Sequence, residues 1–250
     1  MINNKQKKEN NIKLYTYIFF LALTAIKLMH YLFNNYTISD YVLLIVFSIL
    51  TAIAETFLIL LPKIGGVSVS FALTFSAILL TNPLTVSIIS AIGMILRCPY
   101  VDGKGRVHIL NTPIYKTIFN VSQYIISFGV AGFVYEAIDK SFNFILIFFN
   151  PVAATATLVV YILLNTFFMS MLMSILLKEK LVYIWKTNFF SLLVNVILVG
   201  LLGIVLAFAY YSYGSGGLLL FFIPLLLARY TFKLYLDMRK NYFETLNVLV

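Results

Sequence analysis

Most charged residues in this chain fall in short intervals, and between them lie apolar runs long enough to cross a bilayer. Residues 14–33 and 41–61 are the first two runs, joined by a short polar loop at 34–40. From Val67 to Leu96 no charged residue occurs. At helical rise that stretch measures ~45 Å, too long for a single passage through a hydrocarbon core of about 30 Å. Asn82-Pro83 divides it, and the residue before a proline is pushed out of the helical region. The pattern therefore predicts a helix, a turn and a returning helix, a hairpin that either spans or re-enters. Residues 114–138 form the next run. Residues 142–177 are again too long for one span and again carry an Asn-Pro step, Asn150-Pro151. An interfacial or half-inserted piece is expected before Pro151, followed by a span over 152–177. Residues 189–210 form a span, Gly214, Gly216 and Gly217 mark an outer turn at 211–217, and a last span starts at Leu218. That span has no stop signal near Ala228, and its pattern continues as helix to Val250.

These elements describe an all-α polytopic transmembrane helix bundle with a Pro-broken hairpin at 67–96. It makes six crossings if the hairpin re-enters and eight if it spans. Lysine and arginine set its orientation. Lys5, Lys7, Lys8, Lys13, Lys63, Arg97, Lys104, Arg106, Lys116, Lys178, Lys180, Lys186, Arg229, Lys233, Arg239 and Lys240 fall on one side, and Lys140 alone on the other. That bias predicts cytoplasmic N- and C-termini in the cell membrane. The chain then divides into a basic N-terminus at 1–13, a multipass domain at 14–228 and a cytoplasmic helix at 229–250.

Composition agrees, with 62% hydrophobic and 11% charged residues and a mean hydropathy of +0.97. A soluble domain carries about 25% charge. The net charge of +9 needs no nucleic acid, because the basic residues sit in short loops at membrane edges. The single cysteine, Cys98, forms no intrachain disulfide, and a cytoplasmic edge implies a reduced thiol. His30 and His108 build no metal site unaided, no nucleophile–base pair is visible, and neither cofactor nor catalytic residue is expected.

Candidate binding residues cluster around the hairpin. Glu55 is an acid within an apolar span, where an ionisable group is expensive and marks a functional site. Lys27 lies at the wrong depth to pair with it, so hydroxyls or the backbone break near Gly65-Gly66 are its expected partners. Ser68, Ser70 and Thr74 on the first arm, with Asn82 at the turn, can line a polar cavity. Such hydroxyls more often bond the preceding turn's carbonyls. Asn120 and Gln123 share a face of the following span and serve as ligand contacts or as interhelical glue.

The final helix carries Tyr235, Met238, Tyr242, Thr245 and Leu249 near a 3-4 spacing, a short imperfect heptad seam. Such a seam needs a partner, and a homodimer through this helix, a cytoplasmic output domain or a partner chain would supply one.

The stretches ETFLILLPKIGGVSVSFALTFSAILL, NPLTVSIISAIG, IFNVSQYIISFGVAGFVYE and KNYFETLNVLV resemble the multipass N-terminal sensor region of bacterial signalling proteins. In that family the membrane region precedes an HD-GYP phosphohydrolase or a GGDEF domain. The resemblance covers roughly 51–136 and 230–250. It implies the input half of a cyclic di-GMP phosphodiesterase without the catalytic half, since His108 is followed by Ile109 and His30 lies in a span. The expected function is sensory, with the last helix as transmission element. The alternative is a small-solute transporter or substrate-binding membrane subunit whose site the hairpin lines.

Overall fold

A computed structural model of the chain describes residues 4–57, 59–61, 65–67, 69–101, 103, 105–141 and 149–249, with side chains described for fewer of them. Seven helices and two short hairpins account for almost all of it: α1 (Asn4–Asn35), α2 (Tyr41–Thr56), β1 (Ile59–Leu61), β2 (Gly65–Val67), α3 (Ser70–Leu80), α4 (Pro83–Leu96), β3 (Tyr100–Val101), β4 (Gly105–Arg106), α5 (Ile114–Asp139), α6 (Pro151–Leu177) and α7 (Leu181–Leu249). Four helical stretches, Asn11–Asn35, Ile114–Asp139, Pro151–Leu177 and Val196–Thr231, are long and apolar enough to cross a membrane. Phe19, Phe20, Ile26, Val42, Leu198 and Leu220 point outward from the bundle. A bilayer solvates such a surface, and water does not.

Both Asn-Pro steps are helix starts. Asn82 caps α4 by accepting from the Thr85 amide at 3.0 Å, and Asn150 caps α6 by accepting from Val152 at 3.0 Å and Ala153 at 3.2 Å. Proline takes the first helical position in each, where its missing N–H costs nothing. Asp40 caps α2 in the same way through the Leu43 amide.

The hairpin α3–α4 is packed inside the bundle. Every residue of α3 from Ser70 to Leu79 is buried. Glycines let the surrounding helices close on it and on α4. A Cβ at Gly203 of α7 would fall 2.8 Å from the Ala72 carbonyl, and one at Gly93 of α4 would fall 2.4 Å from the Thr51 methyl of α2. Around this centre α1 and α5 run in the same direction, as the ring contacts Tyr15–Tyr115, Tyr17–Phe119 and Tyr31–Phe133 show. α6 returns against α5, with Gln123 bonded to Asn165 and Asn150 beside Tyr135.

Two expectations need correction. The second span ends at Thr56 rather than Leu61, because 59–61 leave the helix and pair with 65–67 as an antiparallel hairpin, Leu60 opposite Gly66. Nor is there a loop at 211–217. Gly214 alone leaves helical geometry (φ 62°, ψ −152°). That single residue reverses the chain: a Cβ at Gly217 would lie 2.4 Å from the carbonyl oxygen of Ala209, eight positions earlier. Tyr210 meets Asp40 at the start of α2, and Arg229 meets Phe57 at its end. The second arm of α7, residues 215–249, therefore runs back along the bundle and reaches its opposite end at Arg229. No break occurs near residue 229.

Candidate functional site

Glu55 occupies the last turn of α2 and is 1% exposed. Four other elements bring polar groups to it. The Ser70 hydroxyl, in the first turn of α3, donates to Oε1. The Tyr124 hydroxyl of α5 donates to the same oxygen at 3.2 Å. Arg97, at the C-cap of α4, places Nη1 3.4 Å from Oε2. Arg229, on the second arm of α7, donates from Nε to the Phe57 carbonyl at 2.9 Å, two residues beyond Glu55. The Arg229 Nη2 is buried and makes no hydrogen bond among the described residues.

A buried carboxylate is tolerated only when its lone pairs and its charge are both answered. Hydroxyls and guanidiniums do so here, and each comes from a different helix. The cluster therefore ties the end of α2, the start of α3, the end of α4 and the middle of α5 to the second arm of α7. The Thr56 hydroxyl adds a further tie, accepting from the Cys98 amide at 3.0 Å.

The other sequence-predicted residues go elsewhere. Thr74 bonds back to the Ser70 and Phe71 carbonyls of its own helix. Gln123 is buried against Asn165 of α6 rather than against the hairpin. Asn120 lines a cavity of about 40 Å³ with Arg97, His108 and Thr117. Asn82 lies at the opposite end of the bundle from Glu55, where its amide nitrogen donates to the Thr37 carbonyl at 2.8 Å. Lys27 and His30 are exposed, away from Glu55. Tyr235 and Met238 are 54% and 63% exposed on α7. Ser68 lies outside the described residues, as do the side chains of Tyr242, Thr245 and Leu249.

Sequence reasoning missed Arg97, Tyr124 and Arg229 as the partners of Glu55. The signal was available only for the arginines, which are the first basic residues beyond two apolar runs that carry no other charge.

A second polar locus sits at the other end. Ser39, Asp40, Leu43, Leu80, Thr81, Asn82, Thr85, Tyr210 and Tyr211 surround a cavity of about 290 Å³. The Tyr210 hydroxyl donates to Asp40 Oδ2 at 3.1 Å. At the same end Tyr36 donates to Glu136 at 2.7 Å, and Glu136 also holds Lys140. Burial first, then the hydrogen bond and charge of Glu136, hold the Tyr36 hydroxyl well above the ordinary phenol range.

Comparison of the chain with protein-family models, with curated proteins and with solved structures finds no match to any of them.

Proposed function

We propose that this chain is a membrane-embedded sensory input domain that passes a signal through the second arm of α7 to a cytoplasmic output module. The observation that carries the reading is the position of Arg229. It is anchored at the buried Glu55 cluster by its bond to Phe57, while Tyr230, Leu234, Tyr235 and Met238 just beyond it are exposed on the same continuous helix. Any rearrangement of the hairpin core that moves Glu55 or Phe57 is thus delivered to a helix that leaves the bundle. A rigid helix needs no further device to carry the displacement, provided the stimulus binds the two states of the bundle unequally.

In this reading the chain is bacterial and multipass in the cell membrane, with both termini cytoplasmic. Arg97, Lys116, Lys186 and Arg229 support the orientation, since they gather at the Glu55 end while Lys140 stands at the other. Because Gly214 reverses the chain, Val196–Thr231 counts as two crossings, and α2, α3 and α4 cover the same depth between the Thr37–Asp40 end and the Glu55 end. This favours the eight-crossing version. The resemblance to the membrane half of HD-GYP and GGDEF proteins makes a cyclic di-GMP phosphodiesterase the proposed output, and a homodimer through Tyr235, Met238, Tyr242, Thr245 and Leu249 the proposed relay.

Disulfide crosslinking tests it. In a Cys98→Ser background, Met238→Cys should crosslink two copies in membrane vesicles, and adding Arg229→Gln should change the crosslinking rate severalfold. Absence of a crosslink between copies, or a rate that ignores Arg229, overturns the relay.

Cavities at both ends of the hairpin favour a second reading, a small-solute transporter with a site lined by 67–96. Uptake that survives truncation of the chain at Lys233 would select it.

A further inference from the structure

We infer that the cavity at the Asp40 end is a binding site for a small organic ammonium ion. Its lining has the three parts such a ligand needs. Leu43 and Leu80 give an apolar floor for a short alkyl body, Ser39, Thr81, Asn82 and Thr85 give hydroxyl and amide edges, and Asp40 gives one carboxylate. Tyr210 and Tyr211 complete the wall with aromatic rings, which attract cations. At about 290 Å³ the space suits a ligand of a few carbon atoms.

Charge decides the ligand class. Asp40 forms no salt bridge among the described residues. Residues 142–148, which lie outside the described residues, contain no lysine or arginine. Lys140, the basic residue nearest in sequence to them, is bonded to Glu136. Two helix N-termini also face this region, and on their own they would favour an anion. Asp40 Oδ1 already accepts from the Leu43 amide of α2, however, and Asn82 Oδ1 from the Thr85 amide of α4. The carboxylate accepts one hydrogen bond at each oxygen, from Leu43 N–H and Tyr210 O–H. Each oxygen keeps a lone pair, so an ammonium N–H can be received without breaking either bond.

The cavity also joins three separate elements. Asp40 begins α2, Asn82 is the apex of the hairpin, and Tyr210 and Tyr211 immediately precede the Gly214 reversal. A ligand that draws them together acts on the arm that carries Arg229, ~21 Å away at helical rise. As the stimulus of a sensory domain the ammonium rests on the function proposed above; as a bound ligand it does not.

The full chain in detergent is titrated calorimetrically with choline, ethanolamine and putrescine, and with glycerol, sodium acetate and calcium chloride as controls. At least one ammonium compound should bind, glycerol and the salts should not, and Asp40→Asn should weaken binding at least tenfold. Asparagine caps a helix as well as aspartate does, so that variant keeps the cap while removing the charge and the acceptor facing Tyr210. Tyr210→Phe keeps the charge and should retain binding within severalfold. Inert ammonium compounds, unchanged binding in Asp40→Asn, or saturation by sodium or calcium alone overturns the site. Adding the bound compound to the Met238→Cys crosslinking assay separates the two proposals. Binding with no change in rate keeps the site and sinks its sensory role, whereas a rate that depends on Arg229 without ammonium binding does the reverse.

Discussion

Removing the Glu55 carboxylate takes away the anion that Arg97 approaches at 3.4 Å, beside the half-buried Arg229. Breaking a buried charge cluster from one side costs about 3 kcal/mol, mostly as the uncompensated charge left behind. Glu55→Ala should therefore lower the melting temperature of the purified protein sharply. Glu55→Gln should lose about half as much, because a neutral amide still accepts from Ser70 and Tyr124. Equal melting temperatures for the native chain and Glu55→Ala would show that the cluster does not hold these helix ends together. Ser70→Ala should cost about 1.5 kcal/mol, the usual worth of a hydrogen bond to a charged group. At this scale the sequence was only partly legible. That Glu55 needs polar partners followed from the cost of an acid in an apolar run. A hydroxyl partner was expected as well, and Ser70 supplies one, but Arg97 and Tyr124 did not follow, because they lie 42 and 69 positions away and reach it only through tertiary packing.

The elements are set by local chemistry at their ends, and they can be broken there. Asn82 closes α4 and ties the hairpin apex to Thr37. Asn82→Ala should cost about 1 kcal/mol or somewhat more, while Asn82→Asp keeps the cap but sets a carboxylate oxygen against the Thr37 carbonyl in the cavity that Asp40 lines. Gly214 sits at φ 62°, ψ −152°, a region open almost solely to glycine. Gly214→Ala should destabilise by about 1–3 kcal/mol, and chemical denaturation of the three variants beside the native chain checks both expectations. These features explain why some elements could be read in advance. An Asn-Pro step carries its own meaning, a cap followed by a residue that tolerates a missing donor, so the starts of α4 and α6 were visible. The β1–β2 hairpin was seen only as a break at Pro-Lys-Ile-Gly-Gly, since three-residue strands leave no periodicity to detect. The reversal at Gly214 was anticipated as a glycine-rich turn, but one residue does the work of the seven expected.

For the whole molecule, the eight-crossing, N-in/C-in reading predicts where a thiol reagent can reach. Cys98 follows the exit of α4 beside Thr56, at the Glu55 end. Tyr211 precedes the Gly214 reversal at the Asp40 end and is 69% exposed. In intact cells a membrane-impermeant maleimide should label Tyr211→Cys in a Cys98→Ser background and leave native Cys98 unlabelled. In inverted vesicles the pattern should reverse. The physical basis is the steep bias of lysine and arginine toward the Glu55 end, which resists transfer of that end across the membrane. Labelling of Cys98 from outside would invert the bundle and place the α7 exit helix away from any cytoplasmic output, removing the basis of the sensory reading. Labelling of neither position from outside would instead bury the Asp40 end. It would then have no aqueous access, and a soluble ammonium could not reach its cavity. The same two cysteines thus decide both which end faces the cell's surroundings and whether the cavity is open to them.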